Sequence, residues 1–458
     1  MNDTHVTPIA GATAPNTVSP QAPPSLFGAL SWPKVRQIGF SVTDQVLAVG
    51  GMFTANVALA RVQSKEEYGM FALSYSVYTF LTGLHNALIL EPYSIHGSGR
   101  YHEHLSGYSR VMARSNATLG AGLTAISLSV WFVLRWRAPS LATWSLLGLA
   151  LTVAILLTAL FIRRTFYLQR RPDLAAKLSV IFFVTLAVLL GLGVLFSVLN
   201  GFSIFAIVAI SWIVAGAFLG KRLPGFTRAD TFSEVTPDHW SEHWKYARWV
   251  LATAFVFQLT TQGYYWLVAG FISVKEVAEL RAIHILVTPV DLICIALDLL
   301  ILPLMVLRYV SKRHAELVSL WKVFGLLNLS ITGAYAVSIW IGGRVVLHSF
   351  YAGKFDDMAA LLSLLVLLPI IMGIGNSVNV ALKSMERPDL VFRAYVASGV
   401  ATFVLGVPLV RYLGLKGAVC GMLTSASVYT IAMGTGLVIT AGSKLRGVSM
   451  LKVNRCGF

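Results

Sequence analysis

The tetrapeptide Arg171-Pro172-Asp173-Leu174 returns as Arg387-Pro388-Asp389-Leu390, 216 positions further on, each copy in a short basic loop between two apolar stretches. At the same offset Leu199-Asn200-Gly201 returns as Leu415-Lys416-Gly417. Fainter matches pair Lys65-Glu66 with Lys275-Glu276 and Pro92 with Pro303, at offsets of 210 and 211. Two matches at one offset mark a duplication, and in an apolar chain a duplication points to a protein built from two related helical bundles.

The composition fixes the medium in which those bundles sit. Of 458 residues, 56% are apolar and 12% charged, against roughly 45–50% and about 25% in soluble domains. Mean hydropathy is +0.72, so the chain reads as an all-α polytopic membrane protein with little room for a folded domain outside the bilayer. Cys294, Cys420 and Cys456 are too few and too scattered for a disulfide framework or a thiolate metal cluster, so no metal or cofactor is expected. The net charge of +16 does not call for nucleic acid, because loops retained in the cytoplasm are enriched in Lys and Arg.

A hydrocarbon core of about 30 Å needs about 20 helical residues. Apolar stretches of that length fall at 38–60, 68–92, 112–134, 143–168, 175–198, 202–220, 246–271, 281–307, 322–342, 357–382, 392–411 and 417–441. With the amino terminus inside, 26 of the 36 Lys and Arg lie on the cytoplasmic side and 10 on the other, which supports both the count of about 12 transmembrane helices and the orientation. The expected organisation is a disordered cytoplasmic tail at 1–37, a six-helix lobe at 38–220, a cytoplasmic linker at 221–245, a second lobe at 246–441 and a cytoplasmic tail at 442–458. Six spans per half make the repeats parallel, giving two bundles that enclose a central cavity at their interface. No inter-span loop is long enough for a catalytic domain, and no phosphate loop, zinc-ligand spacing or nucleophile signature occurs. The chain is therefore read as a non-enzyme driven by a proton or sodium gradient or by a downhill flux.

Charge inside a span is costly, about 2.5–3.5 kcal/mol on insertion scales, and marks a bundle interior or a wet cavity. His284, Asp291 and Asp298 recur every seven residues on one stripe. Asn376, Asn379 and Lys383 form another, and the 216-residue offset maps Asn379 and Lys383 onto Arg163 and Tyr167. Tyr75, Tyr78, Thr82 and His85 share a face followed by Asn86 and Glu91, while Gln258, Thr261, Gln262 and Tyr265 share a second. Asp44 and Gln45 open the first span. Asp44, Asp291 and Asp298 are the candidates for ion coupling. Gln45, Tyr78, His85, Glu91, Gln258, Gln262 and His284 are candidates for lining the passage. Alternative readings stand beside these: Arg163 and Arg164 as snorkelling ends of a helix, Asp291 and Asp298 as helix-to-helix hydrogen-bonding groups or ion-paired with a cationic neighbour, Asp44 as an interfacial residue, and the histidines and tyrosines as packing residues. Trp240, Trp244 and Trp249 beside Lys245 and Arg248 suggest an interfacial helix or an aromatic belt.

Asp44-Gln45, Asn56, Leu59-Ala60-Arg61 and the run Lys65-Glu66-Glu67-Tyr68-Gly69-Met70-Phe71-Ala72-Leu73 resemble the opening two helices of the polysaccharide-unit (O-antigen and exopolysaccharide, Wzx-type) flippases of the multidrug, oligosaccharidyl-lipid and polysaccharide exporter superfamily. The Arg-Pro segments and Leu415–Ala418 are similar as well, so the resemblance spans 38–441. It implies a V-shaped, two-lobed transporter of twelve to fourteen helices that moves undecaprenyl-pyrophosphate-linked oligosaccharides across the bacterial inner membrane, amid membrane lipids and alongside a polysaccharide polymerase or other assembly proteins. A diphosphate headgroup suits Arg and Lys in a low-dielectric cavity, and Arg163, Arg164, Lys245, Arg248 and Lys383, with Asn376 and Asn379, are its candidate partners. A cation-coupled drug or metabolite exporter of the same superfamily is the nearest alternative. A lipid-linked glycosyltransferase or polymerase lacks its catalytic loop here, and a non-transporting scaffold does not need the buried charge.

Overall fold

The computed structural model describes residues 32–99, 101–137, 143–220 and 239–453; the expected tail at 1–31, the linker over 221–238 and the final residues 454–458 lie outside the described residues. Helices α1 (Trp32–Val62), α2 (Lys65–His85), α3 (Glu91–Ser98), α4 (Leu105–Arg137), α5 (Trp144–Leu168), α6 (Pro172–Leu195) and α7 (Gly201–Leu219) make the first lobe. Helices α8 (His239–Phe271), α9 (Val274–Val310), α10 (His314–Tyr351), α11 (Ala359–Leu365), α12 (Leu367–Ser384), α13 (Pro388–Ala401) and α14 (Val407–Val453) make the second. No strand occurs among the described residues. The first helix starts at Trp32 and the eighth at His239, so the segments expected as tail and linker contribute their last residues to helices.

Nine helical stretches of the described residues are long and apolar enough to cross a bilayer. One of them, Pro388–Thr440, holds two passes. At Gly414 the backbone takes φ 62° and ψ −140°, and the chain reverses: Ser398 Oγ donates to the Ser425 carbonyl at 2.9 Å and the Tyr395 and Tyr429 rings stack at 4.8 Å. The α2–α3 and α8 passes fall below that apolarity because they carry the polar faces at the lobe interface, and counting them restores twelve passes in two lobes.

The duplicated tetrapeptide folds the same way twice. Arg170 and Glu386 take φ of 57° and 59°, Arg171 and Arg387 follow as N-caps, and Pro172 and Pro388 occupy the first turn, where a missing N–H costs nothing. Each arginine forks onto the aspartate two residues on, at 2.9 and 2.9 Å in the first copy and 2.9 and 3.0 Å in the second. Hydroxyl and amide caps start other helices: Ser64 accepts from Glu67 N, Ser273 from Glu276 N, and Asn200 forms a reciprocal box with Ser203.

In the first lobe α1 packs on α6 and α5 on α4 and α7, around Leu149, Val153, Leu156, Phe182, Ile204 and Phe205. Residues such as Phe132, Trp340 and Ile341 point outward instead, as lipid-facing positions must. The lobes meet along α2, which lies against α8 and α9. Close approach there requires glycine: a Cβ on Gly69 would stand 2.0 Å from the Val274 carbonyl oxygen, and one on Gly83 would stand 1.9 Å from Gln258 Nε2. The end of the bundle holding the α1–α2 and α10–α11 turns, here the distal end, is bridged between lobes by Lys65 and Glu279 at 2.8 Å. Toward the proximal end, where α1 begins, no hydrogen bond or ion pair among the described residues joins residues 36–50 of α1 to residues 291–308 of α9. The cleft between the lobes lies between α1 and α2 on one side and α8 and α9 on the other.

Candidate functional site

Two polar centres flank this cleft. The first lies inside the first lobe. The Asp44 side chain is 0% exposed, yet its oxygens are saturated: Arg163 donates through Nε at 3.0 Å and Nη2 at 2.8 Å, Tyr167 Oη donates at 2.8 Å and Ser179 Oγ at 2.5 Å. A carboxylate taken out of water persists when paired and fully hydrogen-bonded. The Arg163 guanidinium also lies 6.0 Å from the Trp212 ring, which itself stacks on Phe182 at 3.9 Å. The residue mapped by the sequence as a mouth cation and the one mapped as an ion-coupling acid are therefore partners of each other.

The second centre stands at the lobe interface and is built around Arg281, a residue the sequence reading passed over. Arg281 extends from α9 toward the first lobe. Its Nε donates to Asn56 Oδ1 of α1 at 3.2 Å, while Asn56 Nδ2 donates to the Met52 carbonyl at 2.8 Å and so turns the amide oxygen toward the arginine. The guanidinium lies 4.3 Å from the Tyr75 ring centroid of α2, within the range of a strong cation–π contact. The phenols of Tyr68 and Tyr265 complete the surround. The Tyr68 hydroxyl is buried with no hydrogen-bond partner among the described residues, and Tyr265 Oη sits 2.5 Å from His284 Nδ1. Among the described residues no carboxylate pairs with Arg281. Two tyrosines brace its helix, Tyr351 donating to the Ala282 carbonyl at 2.9 Å and Tyr335 to that of Leu286.

Tyr78 connects the centres, its ring 5.7 Å from Tyr75 and its hydroxyl within the field of Arg163. A line with two tyrosines between two arginines thus runs from Arg281 through Tyr75 and Tyr78 to Arg163.

The remaining candidates are distributed around that line. Arg164 Nη2 donates to Asn86 Oδ1 at 3.3 Å, where a π-helical turn, Asn86–Leu90, interrupts the second pass; such turns recur at functional positions. His85 is buried and bonds Asn116 at 2.6 Å within its own lobe. Glu91 accepts from Tyr246 Oη of α8 at 2.9 Å, across the interface. Gln258 donates to the Thr79 carbonyl at 3.0 Å, also across the interface, and the Oε1 of buried Gln262 has no partner among the described residues. Asp298 accepts from Asn376 Nδ2 at 2.8 and 2.7 Å, with Lys383 close enough to act on its charge. Asp291 is exposed, Asn379 is buried with its Oδ1 unpartnered among the described residues, and Gln45, Lys245, Arg248 and Lys383 are exposed. The structure therefore gathers Arg163 with Asp44 and Asn376 with Asp298, in separate lobes.

No family model and no curated protein matches the sequence, whereas solved structures match over nearly the whole chain. A multidrug resistance MATE family transporter of the MOP superfamily in an inward-facing conformation aligns with a TM-score of 0.73 at 13% identity, covering 87% of this chain and 95% of that one. This chain shares the fold of that solved structure. The outward-facing conformation of such a transporter gives 0.66 at 12%, covering 90% and 96%. A MOP superfamily transporter from Pyrococcus furiosus, described by a reverse polarity of its binding pocket that suggests a different function, gives the same 0.66, 12%, 90% and 96%. At 12–13% identity this likeness shows the fold.

Proposed function

We propose that this protein translocates undecaprenyl-pyrophosphate-linked oligosaccharide units from the cytoplasmic to the periplasmic leaflet of a bacterial inner membrane, with both termini in the cytoplasm. One observation carries the reading: Arg281 stands between the lobes in a surround of phenols and an amide, with no carboxylate to neutralise it among the described residues. A cation so placed in a low-dielectric cleft favours an anionic cargo, and a planar guanidinium suits a diphosphate. Tyrosine faces and the amides of Asn56, Gln258 and Gln262 suit sugar rings, and the prenyl tail remains in lipid beside α1 and α9. Of the three acids proposed for ion coupling, Asp291 and Asp298 are the accessible pair, and Asp44 enters the cycle only if Arg163 releases it.

Asp291 favours a second reading, a cation-coupled exporter of drugs or metabolites, because an exposed acid in a cleft attracts cationic cargo. Deleting the gene and locating lipid-linked repeat units discriminates the two. The flippase reading expects polymer to be lost, units to collect in the cytoplasmic leaflet, and rescue by wild type but not by Arg281→Gln. Unchanged lipid intermediates with increased sensitivity to small cationic compounds would establish the exporter.

A further inference from the structure

The distal closure is made by cations that cross from one lobe to the other and cap helix ends. The last carbonyls of α1 have no intrahelical partner and carry the negative end of its dipole. Lys354, from the turn after α10, supplies the missing donors: its Nζ lies 3.2 Å from the Ala60 oxygen, 3.0 Å from that of Arg61 and 2.6 Å from that of Gln63. The turn is built to deliver it, since Ala352 and Gly353 take φ of 53° and 83° and fold the chain back on α10. No carboxylate pairs with Lys354 among the described residues, and burial pushes its pKa down, so these oxygens are its main counter-charge. The exchange is reciprocal: Arg61 of α1 donates through Nη1 to the Ser349 carbonyl in the last turn of α10, at 3.3 Å. Lys65, opening α2, reaches Glu279 of α9 at 2.8 Å and Asp357 at 3.5 Å, with Phe355 5.2 Å from its ammonium.

We infer that Lys354, Arg61 and Lys65 form a latch, a mutual C-capping of α1 and α10 plus one ion pair, which holds the distal mouth shut and must release for cargo to leave there. All of its bonds join the two lobes, so rocking the lobes apart breaks them together. The latch therefore makes the distal-closed arrangement the resting state of the unloaded protein. It rests on alternating access but on no choice of cargo.

The test is pulsed dipolar spectroscopy on full-length protein in lipid nanodiscs. Spin labels are placed at Val62→Cys and Phe271→Cys, exposed distal positions on opposite lobes, in a background without Cys294, Cys420 and Cys456. Wild type is expected to give one short distance. Lys354→Gln is expected to raise the open-to-closed ratio at least about tenfold, a shift of about 1.4 kcal/mol. Lys65→Glu should open the mouth and Lys65→Glu with Glu279→Lys should close it again, which keeps the test decisive if Lys354→Gln fails to fold. An unchanged distance distribution in Lys354→Gln, or a double charge reversal that stays as open as the single, would overturn the latch. Either result beside intact transport by the same protein would leave alternating access standing.

Discussion

Removing Arg163 should be among the most damaging single changes in the first lobe, and the structure gives the size. Arg163→Met leaves the Asp44 carboxylate with no cation at 0% exposure. Breaking a buried pair by deleting one partner costs about 3–5 kcal/mol. The surviving bonds from Tyr167 and Ser179 place the expected loss near the lower end of that range. Asp44→Asn keeps an acceptor but leaves Arg163, 12% exposed, unpaired. Combining the two removes both charges, and buried pairs replaced as a unit are often close to neutral. The expected coupling between the substitutions is therefore about 2–3 kcal/mol. Unfolding of the purified variants in detergent, followed by tryptophan emission, measures it, and Trp212 beside the pair gives a local signal. Additive effects, or a loss below about 1 kcal/mol for Arg163→Met, would refute the view that these residues are one another's charge compensation. Transport by the double variant adds a second result: retention of activity makes the pair structural, and loss returns Asp44 to the coupling mechanism.

Other changes read the interface and the turns. Gly69→Ala puts a methyl into the Val274 carbonyl, so it should force α2 from α9 at a cost of about 1–3 kcal/mol and lengthen the distal spin-label distance. Gly414→Ala should destabilise by about 1–3 kcal/mol, because φ 62° with ψ −140° suits only glycine; a melting temperature equal to wild type would contradict the tight hairpin between the last two passes. Arg171→Ala and Arg387→Ala remove exposed forks to Asp173 and Asp389 and should each leave the melting temperature close to that of wild type. A marked drop would mean that these loops bind something besides their own aspartates.

The duplication and the twelve passes were legible because both are local: a motif sets a loop, and an apolar run sets a span. The polar sites were harder to read because they join residues far apart in the chain. Asp44 and Arg163 are 119 positions apart, and nothing in either helix alone announces the other. Arg281 was missed for a physical reason. It sits where the apolar run of its span begins, so it reads as an interfacial end, but α9 starts at Val274 and carries Arg281 into the lobe interface. A signal was available, since Arg281 stands three residues before His284 and so extends the stripe that continues through Asp291 and Asp298. The five basic candidates for one mouth share a sequence depth, but depth does not fix azimuth: Arg163 turns into its own lobe while Lys383 faces Asp298 in the other.

The most direct test of the central claim is equilibrium binding of undecaprenyl pyrophosphate, undecaprenol and a lipophilic cation to the purified protein in nanodiscs, with Arg281→Gln and Arg281→Lys beside wild type. The account predicts that the pyrophosphate lipid binds more tightly than the alcohol, that Arg281→Gln weakens it at least about tenfold, about 1.4 kcal/mol, and that Arg281→Lys falls between. Equal affinity for pyrophosphate and alcohol, or cation binding that survives while Arg281→Gln changes nothing, would contradict it.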